Sequence, residues 1–432
     1  MKVVNEEKEL QTPQTEEPDI TDFSLSTVRE GKPPRKISMT AAIILAVFVA
    51  IAAFMLAFVV VSVQTASQLR EMDAVYGKYS KMEDLLNHLD ANYVRDYDMD
   101  AVWEGMYGAI FDSIGDPYST YMTKEEYAAY KADRSGNYVG IGVNVVYTAE
   151  INECYVYRVS KGSPAEKAGI LPGDLILAVE DIEITLETYQ AAIDAVAGEE
   201  ETSVNLTLKR DEQIIKIIVT RNKLETINVL YEKLPGNIAY ITIISFAEAV
   251  TYDQFAQALE QAKEDKVEGY IFDVRNNPGG SLDVICKCLD LLLPEGIIVN
   301  IVAPDGTTTT KNSDAEHFLN APMVVLCNES TASAAELFTA DLRDFGMAVI
   351  VGETTFGKGT MQTISPLADG SAVKLTNRYY NPSGNVSYDG IGIKPDEGYE
   401  IILTEEEKKQ FYKMTREEDR QFQAALRALE AQ

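Results

Sequence analysis

The sequence predicts an α/β (α+β) core carrying an inserted, mainly-β module, preceded by a helical region and one N-terminal transmembrane helix. Three observations predict it: an uncharged apolar run near the amino terminus, a block of short strands in mid-chain, and short apolar runs alternating with amphipathic helices thereafter. At 432 residues there is room for two or three domains, and 46% apolar with 25% charged residues is an ordinary globular balance. The formal charge of -30 argues against nucleic acid, whose phosphates require clustered Lys and Arg.

Residues 1-36 are rich in Glu, Thr and Pro and predict a disordered cytoplasmic tail. The anchor is placed at 37-64. Its core, Met39 to Val63, lacks any charge and exceeds the roughly 20 residues that a helix needs to cross a bilayer. It is also longer than the apolar region of a cleaved signal peptide, about 7 to 15 residues, so it predicts an uncleaved anchor. Lys32, Arg35 and Lys36 precede it and only Arg70 follows closely, which puts the amino terminus in the cytoplasm and the bulk of the chain outside the cell membrane. No wall-binding repeat is recognisable before Gln432, so this run is expected to be the only anchor.

Residues 65-132 alternate apolar and charged positions at helical spacing, interrupted at Asp116-Pro117. His88, beside Asn87 and Asp90, reads as an exposed helical histidine. Residues 133-222 change texture to short strands: "YVGIGVNVV", "CYVYRVS", "DLILAVEDIEI" and "SVNLTLKR". Within "KGSPAEKAGILPGD", Ser163 is expected to cap a short helix, with Pro164 in its first position, Glu166 closing a capping box and Gly169 ending it. This order is characteristic of a PDZ module. Gly140, Ile141, Gly142 and Val143 then stand where such modules hold a peptide's terminal carboxylate on backbone N–H groups.

Residues 223-405 form the predicted α/β core, with strands at "NIAYITIISF", "GYIFDVR", "MVVLCN", "MAVIVGE", "AVKLTNRYYNPSG" and "YEIIL". Residues 406-432 predict a closing helix that begins with a Thr415/Glu418 capping box and puts Phe422, Ala425, Leu426 and Leu429 on one face.

Four scattered cysteines, Cys154, Cys286, Cys288 and Cys327, suit neither a disulfide framework nor a zinc site; Cys286 and Cys288, two apart on a helix, face different directions. With only His88 and His317 in the chain, a Ser-His-Asp arrangement has little to draw on, and no Gly-x-Ser-x-Gly elbow occurs. A buried lysine can replace histidine as base once burial disfavours its ammonium form. The Ser-x-x-Lys pair Ser371/Lys374 fails, because an odd separation on a strand puts the side chains on opposite faces. Lys358, flanked by Gly357 and Gly359, can enter a crowded site after a strand and turn.

"STASAAE" followed by "GETTFGKGTMQ" resembles the signature of the carboxyl-terminal processing peptidases, or tail-specific proteases, which use a Ser-Lys dyad. "GAIFDSIGDPYSTYMT", the PDZ run, "FDVRNNPGGSLD", "LTNRYYNPSG" and "GIGIKPD" resemble further blocks of that family. The resemblance implies Ser333 as nucleophile rather than Ser330, Lys358 as general base and Gln362 as its support. It also implies an oxyanion hole from the N–H of Ala334 and one from the Pro278-Gly279-Gly280 turn, with Gly279 and Gly280 both eligible. No metal or organic cofactor is implied. The expected partners are proteins or peptides with exposed apolar C-termini and the membrane; self-association is left open. Glu336, Asp344 and Glu353 read as structural acids at helix starts and strand ends.

One departure stands out: family PDZ modules carry an arginine, implicated in coupling, where this chain has Ala197. Two rival readings remain: a membrane-tethered PDZ adaptor with an inactive protease fold, and a penicillin-binding type of acyl transferase resting on Ser371/Lys374.

Overall fold

The computed structural model describes residues 38–133, 137–148, 151–314 and 316–432, so the expected tail at 1-36 lies outside the described residues. The chain divides into two units, residues 1–97 and 98–432.

In the first unit, helix α1 (Met39–Asn92) is capped by Ser38, whose Oγ accepts the amide of Ala41 at 3.2 Å. It does not stop at residue 64 as expected. Only Gly77, and no proline, falls between Val63 and Asn92, and a single glycine weakens a helix by about 1 kcal/mol without breaking it. Its stretch Met39–Gln64, exposed at every residue, is long and apolar enough to cross a membrane.

The second unit begins with α2 (Met99–Asp112), capped by Asp98, then β1 (Thr120–Met122) and α3 (Lys124–Asp133). The inserted module runs from β2 (Asn137–Gly140) through β3 (Val143–Thr148), β4 (Glu153–Val159), α4 (Pro164–Lys167), β5 (Leu175–Val179), β6 (Ile182–Glu183), α5 (Tyr189–Val196), β7 (Ser203–Arg210) and β8 (Gln213–Thr220) to β9 (Asn222–Glu225). Its sheet, β3-β4-β5-β7-β8 with β6 on β5, packs on a separate core that includes Ile141, Val156, Ile176, Leu206 and Leu208. β2 and β9 pair antiparallel at its base. Ser163 Oγ accepts the amide of Glu166 as expected, but the Glu166 carboxylate takes the amide of Gly162. Pro164 follows the cap, and Gly169 ends the turn at a φ of 84°.

The core comprises β10 (Val229–Leu234), β11 (Ile238–Ile243), α6 (Val250–Glu264), β12 (Gly269–Asp273), α7 (Leu282–Asp290), β13 (Gly296–Val302), β14 (Thr308–Ser313), β15 (Met323–Cys327), α8 (Ala334–Asp344), β16 (Ala348–Gly352), β17 (Thr360–Pro366), β18 (Ala372–Pro382), α9 (Glu405–Lys409) and α10 (Arg420–Glu430). One sheet has the order β10-β11-β12-β15-β16, parallel from β11 onward. β12 and β15 are buried at every position, as continuous apolar runs in a covered parallel sheet should be. Phe255, Leu289 and Phe338 from α6, α7 and α8 join the core cluster on one face, and Phe422, Ala425 and Leu429 of α10 pack on the other. A second, antiparallel sheet has the order β1-β18-β13-β14, with β17 also on β18.

Two expectations at the carboxyl end change. "YEIIL" is no strand; it makes only the single bridge Gly352↔Glu400. The closing helix starts at Arg420 with Asp419 as its cap, while Thr415 and Glu418 close a separate turn upstream. That turn region touches the inserted module: Tyr412 stacks on Tyr157 with centroids 4.2 Å apart, and Lys413 pairs with Glu153 at 3.2 Å.

Candidate active site

The loops following β12, β15 and β16 leave the carboxyl ends of neighbouring parallel strands, where open α/β sheets gather their sites. Ser333 ends the second loop as the residue before α8, at φ 57° and ψ −117°. A non-glycine residue held there is strained, and such strain concentrates at functional positions. Thr331 stabilises the loop by donating from Oγ1 to Val274 O at 2.8 Å.

Glu336, one turn into α8 and fully buried, connects this loop to the next. It accepts the amide of Ser333 at 2.8 Å, the Thr355 hydroxyl and Gly357 amide at 2.6 Å each, and the amide of Lys358 at 2.7 Å. Burial pushes its carboxyl upward, opposed by these hydrogen bonds. Glu336 is therefore more than the helix-start acid the sequence suggested. Asp344 and Glu353 do hold structural positions, on the amides of Gly384 and Leu403.

Lys358 is half-buried. Burial first, and the charge of Lys374 second, push its ammonium below the ordinary lysine range, while Asp116 and Glu336 pull the other way. Lys374, Thr376 and Tyr380 all lie on β18, whose register against β17 shifts by one residue between Thr376 and Arg378. Buried Tyr380 lies 3.1 Å from Ser333 Oγ and 3.0 Å from the carbonyl of Lys358. The Tyr380 hydroxyl is the donor to both, its one proton shared between Ser333 Oγ and the Lys358 carbonyl. Gln362 lines the same cavity as Lys358 but donates to Thr376 Oγ1 at 3.1 Å and Thr360 Oγ1 at 3.3 Å, not to the lysine.

Ser333, Ala334, Gly279, Gly280, Lys358 and Gln362 line one cavity of about 440 Å³, together with Lys374 and Tyr380. Gly279 adopts φ 91°, and a Cβ there would sit 2.8 Å from the amide nitrogen of Ala334. Its own N–H donates to Asn277 Oδ1 at 2.8 Å, whereas no hydrogen bond among the described residues uses the amides of Gly280 or Ala334. Ser330 is exposed and outside the cavity lining, as is His317; His88 is exposed on α1. Ser371 donates to Asp369, away from the face that carries Lys374. All four cysteines are free and buried.

In the inserted module, Gly140 ends β2, Ile141 and Gly142 form the connection, and Val143 begins β3. Gly142 has φ 85°, and a Cβ there would meet the Ser163 side chain at 2.4 Å. The Ile141 and Gly142 carbonyls accept the amides of Ala165 and Ser160, while their own N–H groups make no hydrogen bond among the described residues. Arg221 fills the end of α5 near Ala197, donating to Ala195 O and Val196 O.

Residues 237–399 match peptidase family S41 and residues 155–210 match a PDZ domain. The chain is 33% identical over 321 residues to a "Probable CtpA-like serine protease" of Staphylococcus aureus strain N315, an alignment that covers 73% of this chain and 64% of that protein's length. Among solved structures, an S41 protein from Bacteroides fragilis covers 79% of this chain and 91% of its own at TM-score 0.54 and 17% identity, a likeness of fold. The photosystem II D1 C-terminal processing protease is 26% identical, with TM-score 0.48 over 74% of this chain and 86% of its own. With a serine-bearing loop, a half-buried lysine and a PDZ match in one chain, this protein is similar to the PDZ-bearing carboxyl-terminal processing peptidases of family S41, and it spans 64% of the length of the curated relative.

Proposed function

We propose that this chain is a serine endopeptidase that cleaves proteins near their C-termini with Ser333 as nucleophile and Lys358 as base. The observation that carries the reading is that both residues line one cavity while Glu336 holds their backbones, with the unused amides of Ala334 and Gly280 beside them. Neutral Lys358 takes the Ser333 proton as Oγ attacks the scissile carbonyl, and the two amides receive the negative charge of the tetrahedral intermediate. Lys358 then passes that proton to the leaving amine. Water hydrolyses the acyl-enzyme with Lys358 again as base. Gln362 supports the amine once Lys358 turns toward Ser333.

The N–H groups of Ile141 and Gly142, without a hydrogen bond among the described residues, favour a PDZ module that reads the terminal carboxylate, with the tail added as a strand beside β3. Met39–Gln64 would anchor the protein with its catalytic domain outside. Protease applied to intact cells should then digest the domain and spare a tag near residue 20.

The deciding experiment compares proteins cleaved in cells expressing wild type and Ser333→Ala, alongside a His88→Ala/His317→Ala variant. Cleavage lost in the first and retained in the second is expected. Retained cleavage in Ser333→Ala would instead favour the adaptor reading, with another protease at work.

A further inference from the structure

The block "GDPYSTYM" has no task in the chemistry above, yet the fold brings it to the base. The Tyr118 ring centroid lies 4.0 Å from Lys358 Nζ. Its turn is fixed on both sides. Asp116 accepts the amide of Tyr118 at 3.1 Å and the hydroxyl of Ser119, and buried Ser119 Oγ accepts the amide of Thr376 at 2.9 Å. Thr376 Oγ1 is in turn the acceptor for Gln362. The turn is thus joined to both strands that line the cavity.

Lys358 faces charge from three elements: Lys374 on β18 repels it, while Asp116 in the turn and Glu336 on α8 attract it. Burial, then the carboxylates of Asp389, Asp116 and Glu336, push the Tyr118 phenol upward, so its ring stays neutral. In this arrangement, no hydrogen bond joins Ser333 Oγ to Lys358 Nζ; the serine is occupied by Tyr380 and the lysine lies over Tyr118.

We propose that Tyr118 is a positioning residue for the base, holding Lys358 on its ring face as the ammonium and releasing it toward Ser333 as the neutral amine. The inference rests on the Ser333–Lys358 reading. A ring face attracts a cation and not a neutral amine, so loss of the proton to solvent is also what frees the side chain to turn. The neutral Nζ then accepts the Ser333 hydroxyl proton. One residue thereby couples the charge of the base to its position.

The test is the pH dependence of kcat/KM for one peptide, with the rate at which a fluorophosphonate labels Ser333, in wild type, Tyr118→Phe, Tyr118→Leu and Tyr118→Met. Phe keeps a ring face and should keep the wild-type profile. Leu and Met remove an attraction to the charged form, so the acidic limb of both readouts should move to lower pH by about 0.4 to 1.5 units, the range of a cation–π contact. The change should fall on kcat, with KM kept within about twofold, because Tyr118 acts on the base rather than on the bound peptide. An unmoved limb in folded Leu and Met variants, or an equal shift in Phe, would overturn the proposal while leaving the peptidase reading intact. A wild type that neither hydrolyses peptide nor is labelled at Ser333 would overturn both.

Discussion

The backbone amides of Ser333 and Lys358 donate to one and the same oxygen, Glu336 Oε2, at 2.8 and 2.7 Å. The spacing of the proposed nucleophile and base is thus set by a carboxylate that touches neither reacting atom. Oε1 takes Thr355 and Gly357, so all four acceptor positions of the carboxylate are used.

Glu336→Gln replaces one acceptor oxygen with a donor amide and leaves buried N–H groups unpaired. It should lower stability by about 2–4 kcal/mol. In the folded fraction kcat/KM should drop at least about 100-fold, since both members of the dyad lose their registration. Thermal denaturation and active-site titration would separate the two effects, and unchanged kinetics in folded variant would refute the role given to Glu336.

On the Ser333–Lys358 proposal the base acts as the neutral amine, so kcat/KM should rise with pH through a limb lying below the ordinary lysine value of 10.5, as burial and Lys374 dictate. Lys374→Gln removes a repelling cation, raises the Lys358 pKa and moves the limb to higher pH, opposite in sign to Tyr118→Leu. The difference should shrink in high salt. A depressed lysine also makes folding less favourable wherever both states are charged. Lys358→Met should therefore melt above wild type at pH 7, with the advantage closing as the pH rises toward 10.5.

Gly280 offers a steric test of the oxyanion assignment. A Cβ there would lie 2.1 Å from the carbonyl carbon of Phe246, whose backbone is fixed to Gly279 and Ser281 by hydrogen bonds of 2.8 and 2.9 Å. Gly280→Ala should cost at least about 2–3 kcal/mol. It should also reduce kcat by about 100-fold or more in protein that still folds. Gly162→Ala is the control: φ is 77° but nothing lies within 4 Å, so only the backbone strain of about 1 kcal/mol is expected there.

For the PDZ module the decisive comparison is one peptide as free acid and as C-terminal amide. The amide should be cleaved with higher KM and little change in kcat, a difference that vanishes when residues 137–222 are deleted. Equal efficiency on both peptides in the intact enzyme would sink carboxylate reading. With Ala197 at the expected arginine position, the truncated protein should retain slow cleavage of short peptides.

The residues legible in the sequence are those whose chemistry is local. Ser333, Lys358 and the glycines around them announce themselves in short motifs, and the capped turn at Ser163 identifies the inserted module. Tyr380, 47 positions beyond Ser333, and Tyr118, far upstream, reach the site only through strand pairing, which leaves no local pattern. Glu336 was hidden by its resemblance to an ordinary helix-start acid. Polar "TTTKNS" forms strand β14 by pairing with β13, while apolar "YEIIL" forms none because tertiary pairing outweighs local propensity.

β2 and β9 lie side by side, Asn137 opposite Glu225 and Gly140 opposite Asn222. The expense of closing a long loop lies mainly in bringing its ends together and grows slowly with length. Here the ends are already joined, so the insert plugs into the core as into a socket. A replacement whose termini emerge on adjacent strands would leave the register of β10, β11 and β18 undisturbed. Descent could therefore exchange the inserted module while inheriting the α/β core whole, and a graft made at Gly140 and Asn222 would repeat that exchange in the laboratory.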